Sequence, residues 1–397
     1  MFIVGAVLGG GAFPRIAFAQ DEGRFVSGPL AWTPTFQLRE AGVDSNVFNT
    51  PVDPKSDTVG TASAQVKSDL ALGLVNAATQ GSLDYVYFEH YAQERAVNGR
   101  VSTDLELPFS RVTPDIAVSW TRVKDRSGNE VDIRAPRTEW SYTLGLKSDL
   151  TPRLALTLSG GAQRVTYDKG FAFRGVDIAT QLDRETVTGT VGARLALTPF
   201  TSLLMDASVS RDDFPLRPGD RTDNIRANVG FDFAPDAVIH GRALVGYHSL
   251  RPTQGAGSSA AIPPFGGITS STEIGYTLLG LTRFSGRFAR ESNYSILTSE
   301  PLYVSTGGGL DIVQRLFGPL DLIVRGTRDR LAYVDTPAVA APGHTDIATT
   351  VGGGVSLRAG QQTVISVLYD STTRRSSAGR EFAYDRERMY TTVTYGF

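Results

Sequence analysis

The sequence predicts an all-β chain, a transmembrane antiparallel up-and-down β-barrel of about 18 strands, with 16 as the runner-up. Three observations predict it. Apolar and polar residues alternate with period two from Trp32 to Phe397, in segments of ten or more residues. Tight turns and long polar connections take turns along the chain. After the N-terminal segment no run of about 18 or more apolar residues occurs, so a membrane crossing would have to be made by strands.

The N-terminus reads as a targeting segment. Phe2 to Phe13 is apolar and rich in Gly and Ala, and Ala17-Phe18-Ala19 has the small-x-small cleavage pattern. This predicts a signal peptide over 1–19 and a mature start near Gln20. Export excludes the cytoplasm. A short periplasmic segment, 20–31, then leads into a single barrel domain, 32–397.

The strands are read from parity. From Thr138 the even set is Thr138, Trp140, Tyr142, Leu144 and Leu146, against Glu139, Ser141, Thr143, Gly145 and Lys147. From Thr186 the odd set is Val187, Val191, Leu195 and Leu197, against Thr186, Thr188, Thr190 and Arg194. Between Asn224 and Phe233, Ile225, Val229, Phe231 and Phe233 oppose Asn224, Arg226, Asn228 and Asp232. The full set is 32–42, 58–73, 80–92, 99–108, 113–124, 137–150, 153–167, 184–198, 201–212, 221–234, 237–250, 268–281, 284–297, 301–316, 319–333, 345–358, 361–375 and 382–397. Such segments are long for a soluble sheet and right for a tilted bilayer crossing. The tight turns often hold Pro, as at Pro152, Pro199, Pro235 and Pro319. The long connections are Asp44 to Asp57, Lys124 to Arg137, Asp168 to Arg184, Asp212 to Asp220, Arg251 to Gly267 and Asp335 to Thr345. Short turns on one side and long loops on the other fit periplasmic turns and external loops. A propeller repeats near this length, but runs this long leave room for only two strands per repeat.

Composition narrows the function. A net charge of −2 argues against a nucleic-acid partner. The absence of Cys suits an oxidising compartment. Trp32, Trp120, Trp140, Tyr142, Tyr276, Tyr294 and Tyr395 fall on the lipid-facing set, as interfacial aromatics do. The opposite parity places Lys67, Asp69, Asp104, Glu106, Glu139, Lys147, Arg194, Arg226, Asp232, Arg242, Glu273, Arg287, Glu291, Asp311, Asp321 and Arg325 toward the lumen. Charges of both signs there suit a hydrated wall rather than a strongly ion-selective one. Eighteen strands enclose a space too wide for side chains to fill, and no plug domain is expected before the first strand.

Nothing in the sequence assembles a catalytic or cofactor site, and neither an enzyme activity nor a cofactor is expected. His240 and His248 share a face but stand about 26 Å apart at strand rise, too far for one metal. His90 is placed on an early strand and His344 in a loop, and no Ser is marked as a partner for His90 or His240. The oxygen-rich loop of Asp44, Asn46, Asn49, Asp53 and Asp57 lacks the Gly and Glu of the twelve-residue calcium loop. It reads instead as turn chemistry. No Gly-rich stretch is followed by Lys-Ser/Thr or opens a helix, so no phosphate loop is present.

The last residues, Met389-Tyr-Thr-Thr-Val-Thr-Tyr-Gly-Phe397, are a strand with Met389, Val393, Tyr395 and Phe397 on one face. This ending resembles the C-terminal signal of Gram-negative outer-membrane barrels, which the barrel-assembly machinery takes as substrate. Phe397, Tyr395 and Val393 are its candidate residues. This strand should pair with the first, near Thr33 to Gly42, so that no edge is left open in lipid.

Gly42-Val-Asp44-Ser-Asn46-Val-Phe48 is similar to the Gly-x-Asp-x-Asn-x-Phe segment after the first strand in the family called putative β-barrel porin 2, with Val43 where Tyr is usual. The resemblance implies a barrel of the bacterial outer membrane, often found with exopolysaccharide or capsule clusters. It supplies no catalytic residues. The expectation is a pore for exopolysaccharide export or for hydrophilic solutes, with periplasmic polysaccharide-export components as partners in the first case. Alternatives are a general diffusion porin, and a structural or adhesive barrel whose loops bind external ligands. Lumen aromatics that could stack on sugars are Tyr390 and Phe88.

Deleting Phe397, or replacing it with a charged residue, should impair assembly more than it alters pore properties. Normal outer-membrane levels of such a variant, read by fractionation and immunoblot, would show the ending to be incidental.

Overall fold

A computed structural model describes residues 24–254, 262–334 and 343–396. Among these, eighteen long strands form one closed antiparallel sheet. In chain order they are β1 (Leu30–Asp44), β2 (Asp57–Leu72), β3 (Val75–Phe88), β4 (Ala96–Glu106), β5 (Val112–Arg126), β6 (Arg134–Thr151), β7 (Leu154–Tyr167), β8 (Arg184–Thr198) and β9 (Thr201–Asp213). They continue as β10 (Asp220–Phe233), β11 (Ile239–Gln254), β12 (Phe265–Leu278), β13 (Thr282–Tyr294), β14 (Leu302–Phe317), β15 (Leu320–Val334), β16 (Thr345–Ala359), β17 (Thr363–Ser376) and β18 (Tyr384–Gly396). Each pairs with its chain neighbours, and β1 pairs with both β2 and β18, which closes the ring.

All eighteen expected segments are strands, so sixteen is excluded. The boundaries differ in places. β3 ends at Phe88, which leaves His90 in a connection rather than on a strand. The segment holding Gly307 to Gly309 is unbroken within β14. Gly307 faces the carboxylate of Asp329, which fills the volume that a side chain would need. Residues 25–27 add a short strand that pairs with Leu30 to Trp32, so the stretch expected as a plain lead-in already joins the sheet.

The outer face is apolar. Leu144, Val187, Ile268 and Met389 are each more than 60% exposed. Apolar area on that scale, repeated round the ring, needs hydrocarbon rather than water against it. Trp120, Trp140 and Tyr142 lie there, with Trp140 and Tyr142 stacked at 6.1 Å. Tyr395 and Val393 sit on the same face of β18, opposite Phe36 and Leu38. Phe397 lies outside the described residues.

Tyr294 departs from the expected outer set. The β12–β13 ladder stops at Ser270 opposite Arg290. Above it β13 leans inward, and the Tyr294 hydroxyl donates to Asp212 Oδ2 of β9 at 2.6 Å. Parity fails there because the wall itself divides.

The closing pair carries an irregular register on β1. A bulge at Arg39 to Gly42 shifts both of its ladders, and Glu40 within it has φ of 51°. Gly42 follows the bulge, where a Cβ would overlap the Met389 carbonyl oxygen of β18. The segment after it clasps the two strand ends. Asp44 is 1% exposed and accepts from Nε and Nη2 of Arg386. Asn46 Nδ2 donates to Asp385 O at 3.0 Å, and Ser45 N to Glu387 O at 2.9 Å. Phe48 packs edge-on against Tyr91 at 4.8 Å. The Gly-x-Asp-x-Asn-x-Phe motif is therefore the closure of the ring.

Gly42→Val should force β1 and β18 apart at this point and cost about 1–3 kcal/mol or more, as overpacking does. A lower urea midpoint for loss of the compact, heat-modifiable gel band is the readout. An unchanged midpoint would show that the approach is not tight.

Candidate functional site

The inner face is built from the polar half of every strand. Three of its carboxylates each sit between two guanidinium groups in cross-strand clusters. Asp84 lies 3.0 Å from Arg39 and 3.0 Å from Arg100. Asp232 takes Arg194 and Arg242, each at 3.1 Å. Asp370 takes Arg325 at 2.6 Å and Arg388 at 3.0 Å. Arg325 and Asp370 belong to β15 and β17, so their contact passes over β16 and must run on the concave side of the wall. Partly shielded pairs of this kind hold rigid side chains in place, while exposed surface pairs contribute little.

The residues singled out from the sequence divide into three groups. Arg194, Asp232 and Arg242 meet in one cluster, and Arg325 joins Asp370. Glu139 takes Arg137 at 2.5 Å, Arg287 pairs with Asp311 at 3.7 Å, and Asp321 accepts Arg358 at 3.0 Å. Lys147 and Asp69 have exposed partners in Asp149 and Arg24. Lys67, Asp104, Glu106, Arg226, Glu273 and Glu291 stand on the same face by register. Glu106 there is opposite Asp115. Asp84, Asp370 and Arg100 were not singled out, although the same parity reaches them.

The external end is different. The connection 168–184, expected as a polar loop, carries Phe171, Phe173, Val176, Ile178 and Leu182 and folds inward. Its one helical turn, α1 (Ile178–Leu182), is capped by Asp177, whose carboxylate accepts Thr180 N at 2.8 Å. Ile178 is fully buried among Val131, Ala135, Val165, Tyr167 and Ile296. The apolar core of this protein thus lies inside the mouth of the barrel.

The loop 127–133 crosses that mouth. Glu130 accepts Ser295 Oγ at 2.5 Å and Ile296 N at 3.1 Å, from the connection between β13 and β14. That connection is eight strands round from the loop's own, close to the opposite side of an 18-stranded ring. Asp132 takes Asn49 at 2.9 Å and Arg374 of β17 at 3.1 Å. Arg126 donates to Val47 O at 2.6 Å, which binds the first connection into the same layer. Below this layer lies a cavity of about 200 Å³, lined by Glu130, Arg137, Glu139, Arg184, Glu291 and Tyr303. It draws on both walls and is many times the roughly 10–15 Å³ that one water requires.

The candidate loop 44–57 has its carboxylate oxygens engaged, while Asn49 Oδ1 is buried without a hydrogen-bond partner among the described residues. Asp57 accepts the backbone N–H of His90 and Tyr91, and Asp53 takes Lys55. His248 is 5% exposed, with Nδ1 on Ser292 Oγ at 2.7 Å and Nε2 on Asn224 Oδ1 at 3.2 Å. It ties the inward-leaning end of β13 to β10 and β11. His344 stacks on Tyr333 at 3.8 Å and meets Glu300 at 2.6 Å. Tyr390 and Phe88 are on the inner side but are 6% and 3% exposed. Arg325 and Arg388 flank the Tyr390 ring and Arg134 covers Phe88, so neither offers a face for stacking.

A closed ring with an apolar outside, a charged inside and external loops folded into its mouth defines an outer-membrane porin type of barrel. The chain belongs to the family described as Putative beta-barrel porin 2, which matches residues 28–397. Among solved structures it is similar to a BenF-like porin from Pseudomonas fluorescens Pf-5, with a TM-score of 0.51, 12% identity, and cover of 93% of this chain and 98% of that one. It is also similar to OpdK of Pseudomonas aeruginosa in a structure with vanillate, at TM-score 0.50, 15% identity, and cover of 92% and 98%. OccAB2 of Acinetobacter baumannii gives TM-score 0.50, 10% identity, and the same cover. These likenesses are of fold. No curated protein matches the chain in sequence.

Burial pushes the Glu130 carboxyl up to about 7 from its ordinary 4.5, against the pull of Ser295, Ile296 and the Arg374 charge. The docked loop therefore favours the protonated form. Docking is strongest below about 4.5, weakens as pH rises to about 7, and changes no further above that. Hydrogen exchange over residues 127–133 and 295–297, corrected for intrinsic rates, should be slower at pH 5 than at pH 8. Glu130→Gln should remove the difference, and a wild-type profile flat with pH would refute the assignment.

Proposed function

We propose that this chain is an outer-membrane pore that passes small hydrophilic solutes past a fixed roof of inward-folded loops. The observation that carries the reading is the cavity of about 200 Å³ between charged walls directly beneath that roof. A lumen lined by Asp84, Asp232 and Asp370 clusters is a hydrated surface, and hydrated 18-stranded barrels conduct. The OpdK structure with vanillate is of a barrel of similar fold holding a small organic acid. Placement in the outer membrane is supported by the family and the apolar outer face.

Exopolysaccharide export with periplasmic partners is the second reading. It needs a wide conduit and stacking surfaces. The mouth is crossed by 127–133 and 168–183, and the rings of Tyr390 and Phe88 are covered. Small-solute passage is therefore favoured. An adhesive barrel would present its apolar loop residues outward, whereas Ile178 and Ile296 have no exposed surface. No chemistry is assigned to the chain, and its insertion is assigned to the barrel-assembly machinery.

Purified protein in planar bilayers should give discrete conductance steps with a cation-to-anion permeability ratio within about threefold of one, because both signs line the wall. Excising 128–132 should raise the step size and admit larger sugars in liposome swelling. A wild type with no conductance would overturn the pore. A wild type that passes oligosaccharides as readily as salts would favour polymer export instead.

A further inference from the structure

The outer face carries two kinds of arginine near the external strand ends. On β5 to β10 they are neutralised in place. Arg122 pairs with Asp168 at 2.5 Å, Arg164 with Glu185 at 3.3 Å, Arg211 with Asp223 at 2.8 Å and Arg221 with Asp213 at 2.5 Å. On β11 to β17 the outward residues at the same level include Arg251, Arg290, Arg328, Arg330 and Arg375, and among the described residues no carboxylate faces outward on those seven strands. Arg375 alone reaches an acid, Asp385 of β18 at 2.9 Å.

Three of these converge. Register sets Arg290, Thr306 and Arg330 side by side across β13, β14 and β15, with Arg328 beside Gly308 one step below. Strand spacing puts Arg290 and Arg330 about 10 Å apart at Cα, and Arg328 about 7 Å from Arg330. All three side chains can therefore reach one group above Thr306. Arg290 is held for this by donating Nη1 to Thr306 Oγ1 at 2.8 Å and Nε to Ile268 O at 3.1 Å. Arg328 and Arg330 are exposed and have no partner among the described residues. Phe288, Leu310, Val324 and Val351 lie exposed just below. A guanidinium does not shed its charge, so this cluster at the rim of an apolar belt needs an anion. The one regular source of fixed anions at that depth is the lipid headgroup.

We propose that the outer face of β13 to β15 binds the phosphate of a phosphorylated glycolipid of the outer leaflet through Arg290, Arg328 and Arg330. The assignment rests on placement in the outer membrane and not on what the pore passes. Folded barrel in detergent is titrated with bis-phosphorylated lipid A, with its dephosphorylated form and with inorganic phosphate. The expected result is binding of the phosphorylated lipid, about tenfold or more weaker for Arg328→Gln/Arg330→Gln and changed less than about twofold for Arg211→Gln/Arg221→Gln. All variants should keep the heat-modifiable band and wild-type conductance, since these side chains face away from the lumen. Equal affinity in the Arg328/Arg330 variant, or equal binding of the dephosphorylated lipid, would overturn the site. Displacement by inorganic phosphate at the lipid's own concentration would overturn the lipid as its occupant. Loss of conductance in wild type alone would refute the pore and leave this site standing.

Discussion

Everything in this molecule depends on the pairing of its first strand with its last. An antiparallel sheet in hydrocarbon cannot leave an edge, because each unpaired N–H or C=O there costs several kcal/mol. The chain meets that requirement with residues 342 and 339 positions apart, through Asp44 with Arg386 and Asn46 with the Asp385 carbonyl. The bulge at Arg39 to Gly42 lets the ends meet, and Gly42 makes room for them. A short motif that looks like loop decoration is thus the part of the sequence that makes a ring out of a ribbon.

Once the ring is closed, the interior has no apolar core of its own, and the loops supply one. Ile178, Val131 and Ile296 come from three different connections and are buried together in the mouth. Their burial offsets the entropy of ordering long loops, and the pairs made by Glu130 and Asp132 give the layer a defined position. The charged wall below needs no such core, because the Asp84, Asp232 and Asp370 clusters fix side chains there through opposite charges.

The strands were legible because their signal is local. A period of two shows in any ten residues, and Pro or Gly marks the turns, so each strand end falls within a few residues of its expected place. The inner-face clusters were partly legible, since parity places Arg194, Asp232 and Arg242 together once the strands are in register. Tyr294 was not, because its face is decided by the end of the β12–β13 ladder, which no alternation reveals. The roof was not legible either. Glu130 finds Ser295 at a separation of 165 residues, and no short-range pattern encodes that. A signal did exist in Phe171, Phe173, Val176, Ile178 and Leu182, which are too many apolar residues for a solvated loop.

The loop 127–133 is fastened to walls on different sides of the ring, through Ser295 in one direction and Arg374 in the other. It is therefore a cross-brace as well as an obstruction. A hollow cylinder braced at one end resists being flattened there and stays compliant at the other. Throughput and stiffness are then set by the same few contacts, and a change that widens the passage also softens the shell that encloses it.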